Sequence, residues 1–194
     1  IRAIDKKPLY EWYQVTPGVE SLCMDLSEKE NAIRACEGAI EVYNLAADMG
    51  GMGFIERFRV ECLRSILINT HMIEAAYRAG TERYFFSSSV CIYRDMQPDE
   101  PELTEADAIP ANPDNEYGWE KLYSERMAMA YQRNSGMKVR IARFQNCYGP
   151  YGTWTGGREK APAAICRKVA EAENGGTIPV WGDGTAMRTY TYVD

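Results

Sequence analysis

Three short apolar segments, each ending in small or polar residues, constrain the fold of this chain more than any other feature. They are 41–45 before Ala46-Ala47, 83–86 before Ser87-Ser88-Ser89, and 139–144 before Asn146. Apolar residues recur at helical spacing between them, above all over 59–79 and 116–135. Strands that alternate with helices form parallel sheets, which bind ligands at the carboxyl ends of their strands. The sequence therefore predicts an α/β fold, a Rossmann-like doubly wound parallel sheet, with a ligand site at that edge.

A tyrosine and a lysine one turn apart stand on the predicted helix 116–135, after a proline-rich and acid-rich stretch, 94–116, that predicts an ordered surface excursion. Tyr117 and Lys121 share one helix face and can act on one atom. A phenol is a poor base at neutral pH unless a nearby ammonium favours its ionised form. With Ser89 holding the same oxygen, the pair is suited to removal of a proton from a substrate hydroxyl. A packed phenol beside a solvated lysine is the alternative from spacing alone.

The overall composition excludes several classes of protein. A net charge of −6 over 194 residues argues against binding of nucleic acid or an acidic membrane. No apolar run approaches the roughly 20 residues of a membrane span, and no signal-peptide pattern opens the chain. The six cysteines lack C-x-x-C or metal spacing and read as reduced thiols. We therefore expect a cytoplasmic protein with no metal, no membrane partner and no nucleic-acid partner.

Two carboxylates follow predicted strands near the start of the chain. Asp5 ends strand 1–5, where a dinucleotide fold places an acid on the adenosine ribose, and it would favour NAD over NADP. Asp25 ends a second strand, 20–26, before a helix with a cap at Ser27. Capping of a turn or helix is an equal alternative for both carboxylates. The glycine-rich turn that precedes such an acid is absent from this sequence, so no residue is assigned to the pyrophosphate, and we expect the chain to be a fragment.

Three glycines in four positions, Gly50, Gly51 and Gly53, follow strand 41–45. Their entropic cost in a helix or strand predicts a loop that serves close approach or positive φ. The segment lacks the Gly-Lys-Ser/Thr of a P-loop, so we place it over a sugar, with a flexible surface loop as the alternative.

The character of the chain changes after residue 144. Basic residues recur in this part of an otherwise acidic sequence and suggest an anionic ligand such as a nucleotide diphosphate, although scattered surface charge explains them as well. We divide the chain into 1–144, a partial NAD-binding Rossmann domain, and 145–194, the start of a sugar-nucleotide-binding region.

Four longer motifs give the chain a resemblance to a known family. They are NLAADMGGMGFI at 44–55, SSVCIY at 88–93, YGPYGTW at 148–154 and GGREKAPAA at 156–164. Together with Tyr-x-x-x-Lys they resemble the extended short-chain dehydrogenase/reductase superfamily and, within it, the GDP-mannose 3′,5′-epimerases. The likeness covers essentially the whole chain.

The resemblance implies a role for each matching residue. Oxidation at C4 falls to Tyr117, Lys121 and Ser89, and proton exchange at C3 and C5 falls to Cys91 and Lys160. The implied cofactor contacts are Asp5, Asp25, Leu45, Ala46, Ala47, Tyr117 and Lys121. The implied substrate contacts are Gly50, Ser89, Val90, Cys91, Asn146, Glu159, Lys160, Lys168 and Arg188. The resemblance also implies NAD as cofactor, conversion of GDP-mannose to GDP-L-galactose, and a homodimer formed through helix 59–79.

Two other functions stay open at this stage. The first is another NAD-dependent epimerase, dehydratase or decarboxylase acting on a UDP- or dTDP-sugar. A 4-epimerase needs no pair like Cys91 and Lys160, and a 4,6-dehydratase typically carries acids just after the serine, where this chain has Val90 and Cys91. The second is a non-catalytic nucleotide-sensing or scaffolding relative, which the loss of Tyr117 or Lys121 would have signalled.

Overall fold

The computed structural model describes residues 1–96, 99–184 and 188–194. Gln97 and Pro98, in the predicted surface excursion, lie outside the described residues. In chain order the elements are β1 (Arg2–Asp5), β2 (Glu20–Cys23), α1 (Lys29–Cys36), β3 (Glu41–Asn44), α2 (Met52–Arg57), α3 (Arg59–Arg78), β4 (Arg83–Ser89), α4 (Glu116–Ser135), β5 (Lys138–Phe144), β6 (Asn146–Tyr148), α5 (Ala161–Glu171) and β7 (Tyr190–Tyr192).

The strands pair in parallel throughout the described residues, as alternation with helices predicts. β1 pairs with β2, β4 lies between β3 and β5, and β6 pairs with β7. The α/β class and the parallel pairing are confirmed. The predicted single sheet is divided, however, because among the described residues no strand joins β1 to β3, and the β6–β7 pair was not predicted.

The main core lies where helices cover β3, β4 and β5. Helix α3 packs against both α1 and α4. Its buried side chains, including Met72 and Ile73, join Tyr84 and Phe86 of β4 in one apolar cluster. Tyr84 is fully buried, and its hydroxyl accepts a hydrogen bond of 2.9 Å from Asn44 Nδ2, so the buried phenol keeps a polar partner.

Helix α4 begins and ends where its sequence directs. The Asn115 side chain accepts a hydrogen bond of 2.9 Å from the Gly118 backbone N–H and so caps the first turn. Gly136, at φ 76°, closes the helix in the left-handed conformation. The predicted bounds 116–135 match the observed helix.

The predicted serine cap of α1 is wrong. The helix begins at Lys29, after Glu28, and Ser27 provides no side-chain cap. Strand β2 ends at Cys23, and the Asp25 carboxylate instead accepts the Ser27 backbone N–H at 2.8 Å. A local turn competes successfully with the cap, because Asp side chains readily bond the backbone two residues on.

A buried ion pair fixes β5 to α4. The Arg143 guanidinium donates to both carboxylate oxygens of Glu125, at 3.0 and 2.9 Å, and also to the Tyr93 hydroxyl and the Glu105 carbonyl, both at 2.8 Å. The Glu125 side chain is only 4% exposed and that of Arg143 21% exposed. Removing the carboxylate would leave a largely buried cation without its main partner.

We expect Glu125→Ala to lower the free energy of unfolding by about 3 kcal/mol, measured by urea denaturation. The matched control is Glu74→Ala, which removes the partner of Arg78 in an ion pair whose side chains are 27% and 64% exposed. This control should cost less than about 1 kcal/mol. Similar losses in the two variants would contradict the assigned importance of burial.

Candidate active site

Strand β4 delivers the hydroxyls of the predicted site. The strand continues through the three serines to Ser89, three residues beyond the predicted strand end. The Ser89 hydroxyl accepts the Cys91 backbone N–H at 3.2 Å and starts the single 3₁₀ turn Val90–Ile92. Ser89 and Cys91 are therefore held at the carboxyl end of the central strand of the three-stranded sheet.

Tyr117 lies in the first turn of α4 with its side chain buried. Burial raises the pKa of its phenol, the nearby Cys91 adds to this effect, and a hydrogen bond with Ser89 opposes it. The phenol is therefore neutral in this state. A cationic neighbour is required before it can accept a proton from a substrate.

Lys121 is fixed below the tyrosine by a buried contact. Its Nζ donates to the Ser87 carbonyl at 2.9 Å and lies 5.7 Å from the centre of the Tyr117 ring. Burial lowers the pKa of the Lys121 ammonium, and the neighbouring Glu120 opposes this effect. The tyrosine and the lysine thus meet on one helix face, against the strand that carries Ser89.

Cys91 and Lys160 reach the same region from distant parts of the chain. Cys91 is half-buried against an apolar cluster that contains Tyr117 and Phe54. Lys160 precedes the first residue of α5, and its Nζ lies 3.5 Å from Asn146 Oδ1. Burial lowers the pKa of Lys160, and the cysteines at positions 91 and 147 oppose this effect.

The glycine segment contacts the segment that bears Lys160. Gly51 donates its backbone N–H to the Arg158 carbonyl at 3.0 Å, and Gly50 is buried beside it. Of the two purposes predicted for these glycines, close approach of the backbone applies. Positive φ does not, because none of the three glycines has a positive φ. The predicted loop is wrong at Gly53, which lies inside helix α2, where its missing side chain leaves room for the Trp181 ring. The Glu159 carboxyl lies in the same segment as Lys160. Backbone N–H groups of residues 159 and 157, together with Arg167, hold its pKa below the usual value, although burial acts to raise it.

The predicted cofactor residues lie at or beyond the carboxyl ends of β1, β2 and β3. The Asp5 carboxylate is exposed and accepts the Lys7 backbone N–H at 2.9 Å. Asp25 is exposed too, and its hydrogen bonds with Ser27 hold its pKa below the usual value. Leu45 is exposed, and the half-buried Ala46 and Ala47 follow it. Carboxylates can accept hydrogen bonds from ribose hydroxyls and small side chains leave room for a ring system, so the chemistry of these residues fits NAD.

The remaining predicted substrate residues are less tightly grouped. Val90 is half-buried in the 3₁₀ turn, and Asn146 starts β6 with its Nδ2 donating to the Thr189 carbonyl at 3.2 Å. Lys168 Nζ donates to the Pro179 carbonyl at 2.6 Å, and Arg188 is exposed. Arg167, another basic residue of this region, is paired with Glu159 and Glu171.

Sequence reasoning missed the importance of Gly118. A Cβ atom on this residue would lie 2.0 Å from the Cys91 carbonyl oxygen and 2.9 Å from Pro113 Cβ. Only glycine lets α4 approach the Val90–Ile92 turn so closely. A glycine beside the tyrosine, inside a helix where it is costly, was the signal in the sequence.

The described residues set two further limits. Every helix among them is too short or too polar to cross a lipid bilayer. Within the same residues, no three His, Cys, Asp or Glu side chains are grouped to hold a metal ion.

The parallel α/β fold, with Tyr117, Lys121 and Ser89 at its carboxyl edge, is accompanied by a match to a family model. Residues 2–194 match the NAD dependent epimerase/dehydratase family, and the chain belongs to that family.

Within this family, the chain is similar to several individual proteins. The chain is 45% identical over 175 residues to GDP-mannose 3,5-epimerase of Arabidopsis thaliana, covering 88% of this chain and 46% of that protein. It is 29% identical over 166 residues to GDP-L-fucose synthase of Escherichia coli (strain K12), covering 82% of this chain and 51% of the relative. The chain thus spans about half the length of these relatives.

Solved structures share the fold at low sequence identity. UDP-glucose 4-epimerase of Thermotoga maritima with UDP-glucose has a TM-score of 0.84 at 20% identity, over 99% of this chain and 61% of that one. The Thermus thermophilus UDP-glucose 4-epimerase complex with NAD has a TM-score of 0.81 at 22% identity, over 99% and 62%. Likeness at this level supports the fold alone.

We expect Gly118→Ala to destabilise the protein by about 1–3 kcal/mol, because the new methyl group forces α4 away from the Cys91 carbonyl. Turnover of the folded variant should fall as well, since Tyr117 and Cys91 move apart. The control is Gly80→Ala, where φ is +75° but nothing lies within 4 Å of the added atom. That variant should lose stability through backbone strain and keep its turnover. Urea denaturation and steady-state kinetics distinguish the two, and unaltered turnover in Gly118→Ala would contradict the close contact.

Proposed function

We propose that this chain carries the NAD-binding and catalytic part of a GDP-mannose 3,5-epimerase that converts GDP-mannose to GDP-L-galactose. The carrying observation is that a thiol and an amine, Cys91 and Lys160, share one region with Tyr117, Lys121 and Ser89. The identity of 45% to the plant GDP-mannose 3,5-epimerase supports the same substrate.

The first step is oxidation of the sugar at C4. NAD, when bound, supplies the hydride acceptor for this carbon. Tyr117 takes the hydroxyl proton, and Ser89 holds the same oxygen. The Lys121 ammonium, anchored on the Ser87 carbonyl, stabilises the Tyr117 phenolate that accepts this proton and becomes the neutral phenol.

NAD is held by residues at the carboxyl ends of β1, β2 and β3 in this proposal. The Asp5 carboxylate accepts from the adenosine ribose and disfavours a 2′-phosphate, while Asp25 contacts the adenine. Leu45, Ala46 and Ala47 line the path of the cofactor with side chains that permit close approach. Among the described strands β1 and β3 each keep one edge without a partner, and a strand bearing a glycine turn would complete one doubly wound sheet between them.

The second step is proton exchange at C3 and C5. A ketone at C4 makes the hydrogens on both neighbouring carbons acidic, and inversion then needs an acid and a base on opposite faces of the ring. Cys91 and Lys160 fill these two roles. Because burial lowers the pKa of Lys160, its amine is a better base near neutral pH than an exposed lysine.

The substrate lies between the two parts of the chain. We assign 1–144 to a partial NAD-binding domain and 145–194 to the start of the region that binds the sugar nucleotide. The residues assigned to the substrate besides the catalytic groups are Gly50, Val90, Asn146, Glu159, Lys168 and Arg188. Of these, Gly50 and Glu159 belong to segments that touch, which gives the sugar site one continuous wall.

Helices α3 and α4 form the proposed homodimer interface. Apolar side chains at helical spacing stay exposed on both helices: Val60, Leu63 and Leu67 on α3, and Trp119 and Tyr123 on α4. The two helices pack side by side, and in this proposal the exposed positions form one apolar surface. A second copy of the chain would bury that surface by presenting the same two helices.

The chemical proposal is tested by incubating the purified protein with GDP-mannose in deuterated water and locating the label by mass spectrometry and NMR. We expect label at C3 and C5 with the parent protein. Cys91→Ser keeps the size of the side chain but removes the thiol, so exchange should slow by about 10²–10⁴-fold while oxidation at C4 persists. Tyr117→Phe should stop both steps, because exchange depends on prior oxidation.

Cys166→Ser, a matched change at an exposed thiol on α5, should exchange at the parent rate. Exchange in Cys91→Ser as fast as in the parent would remove the thiol from the mechanism. A parent protein that leaves GDP-mannose unlabelled but inverts C4 of UDP-glucose would instead be a 4-epimerase, the alternative that has no use for Cys91 and Lys160.

The dimer is tested by Leu63→Glu, which places a charge in the apolar surface of α3. We expect this variant to sediment as a monomer while the parent sediments as a dimer. Ile165→Glu on α5 is the control, because Ile165 is 42% exposed and Leu63 41% exposed. A monomeric parent, or a dimeric Leu63→Glu variant, would exclude this interface.

A further inference from the structure

We propose that Asp48 and Arg158 are positioning residues that place Lys160 for proton exchange, by clamping segment 158–160 onto segment 48–54. This inference rests on the proposed function and adds two residues to which neither chemical step assigns a role. We call the pair the Asp48–Arg158 clamp.

The two segments meet backbone to backbone. A Cβ atom on Gly51 would lie 2.4 Å from the Glu159 carbonyl oxygen, and one on Gly50 would lie 3.1 Å from Arg158 Cα. The Gly51 N–H donates to the Arg158 carbonyl at 3.0 Å. The glycines are thus required for space, and they allow a contact that any side chain would prevent.

The Arg158 side chain folds back over the glycine segment and makes three contacts with it. One terminal nitrogen donates to the Met49 carbonyl at 2.9 Å, and the other forms an ion pair with Asp48 Oδ1 at 2.8 Å. The guanidinium carbon lies 3.8 Å from the centre of the Phe54 ring, within the range of a cation–π contact. Arginine suits this place because its planar group can pair, donate and stack at once.

Asp48 is itself anchored to the body of the fold. Its backbone N–H donates to the hydroxyl of the buried Ser65 on α3, at 2.9 Å, and its second carboxylate oxygen accepts from Lys6 Nζ at 2.7 Å. Burial acts to raise the pKa of Asp48, but Lys6 and Arg158 outweigh it and hold the pKa below the usual value. The carboxylate is therefore ionised at neutral pH and can pair with Arg158.

The clamp links Lys160 to the cluster that holds its chemical partner. Phe54, which stacks on Arg158, belongs to the same apolar cluster as Tyr117 and Cys91. Lys160 follows Arg158 by two residues, so these contacts help to set the position of the lysine backbone relative to Cys91. Displacement of a reacting group by about 1 Å is enough to cost roughly 10²-fold in rate.

The residues of the oxidation step have anchors of their own outside the clamp. Tyr117 and Lys121 belong to α4, and Lys121 is fixed to strand β4 through the Ser87 carbonyl. Ser89 is part of β4 itself. Loss of the clamp should therefore impair proton exchange and spare oxidation, a separation that a general loss of folding would not produce.

The test compares Arg158→Met, Arg158→Lys and Asp48→Asn in the deuterium experiment with GDP-mannose, together with single-turnover oxidation at C4. We expect Arg158→Met and Asp48→Asn to slow incorporation at C3 and C5 by about 10²-fold, with oxidation near the parent rate. Arg158→Lys keeps a cation facing Asp48 and should recover part of the exchange rate. The Gly51 N–H donates to the backbone carbonyl of residue 158, which Arg158→Met retains. Because the side-chain contacts that hold this segment are lost, we expect the Gly51 amide to lose protection in hydrogen exchange in that variant.

Arg78→Met is the control, because it removes an arginine from an ion pair with Glu74 on α3, outside the clamp. It should leave both steps and the Gly51 amide unchanged. An exchange rate in Arg158→Met equal to that of the parent, or equal losses in both chemical steps, would overturn the clamp. A parent protein that never labels C3 or C5 would instead refute the epimerase proposal, and the Gly51 amide then still reports whether the clamp exists.

Discussion

The contact of helix α4 with strand β4 is the constraint on which the arrangement of the site depends. At one point the Lys121 ammonium donates to the Ser87 carbonyl, and at another Gly118 lies against the Cys91 carbonyl. Both contacts join backbone of the strand, or of the turn that follows it, to the first two turns of the helix. As a result Tyr117, Lys121, Ser89 and Cys91 form a unit whose spacing cannot change without breaking a buried contact.

Burial inside this unit opposes charge, and the structure compensates in a different way at each position. Lys121 has a carbonyl partner and the negative field of Glu120, whose own pKa burial raises. Arg143, on the neighbouring strand, is paired with Glu125. The phenol of Tyr117 has the Ser89 hydroxyl as a partner, and burial keeps it neutral. Such a phenol would become an effective base when a ligand supplies further positive charge, as the proposed coupling of proton transfer to oxidation requires.

Much of this arrangement could be predicted from the sequence, because parallel strands, helix ends and the Tyr117–Lys121 spacing all follow local rules. Asn115 and Gly136 bound α4 as those rules require. The prediction failed where two local rules competed, as at Ser27, where the carboxylate of Asp25 forms a turn in place of a cap. It also could not foresee contacts between distant segments. Nothing in a single sequence indicates that Gly51 lies against the Glu159 carbonyl.

The contact between segments 48–54 and 158–160 also has a consequence for the order of folding. The hydrogen bond from Arg158 to the Met49 carbonyl joins residues 109 positions apart in the chain. Ordering so long an intervening segment carries an entropic cost that must be met before the contact can stabilise anything, and contacts of this kind form late. Helix α4 and strand β4, which are much closer in sequence, can assemble earlier. We therefore expect the tyrosine and its lysine to come together before Lys160 joins them.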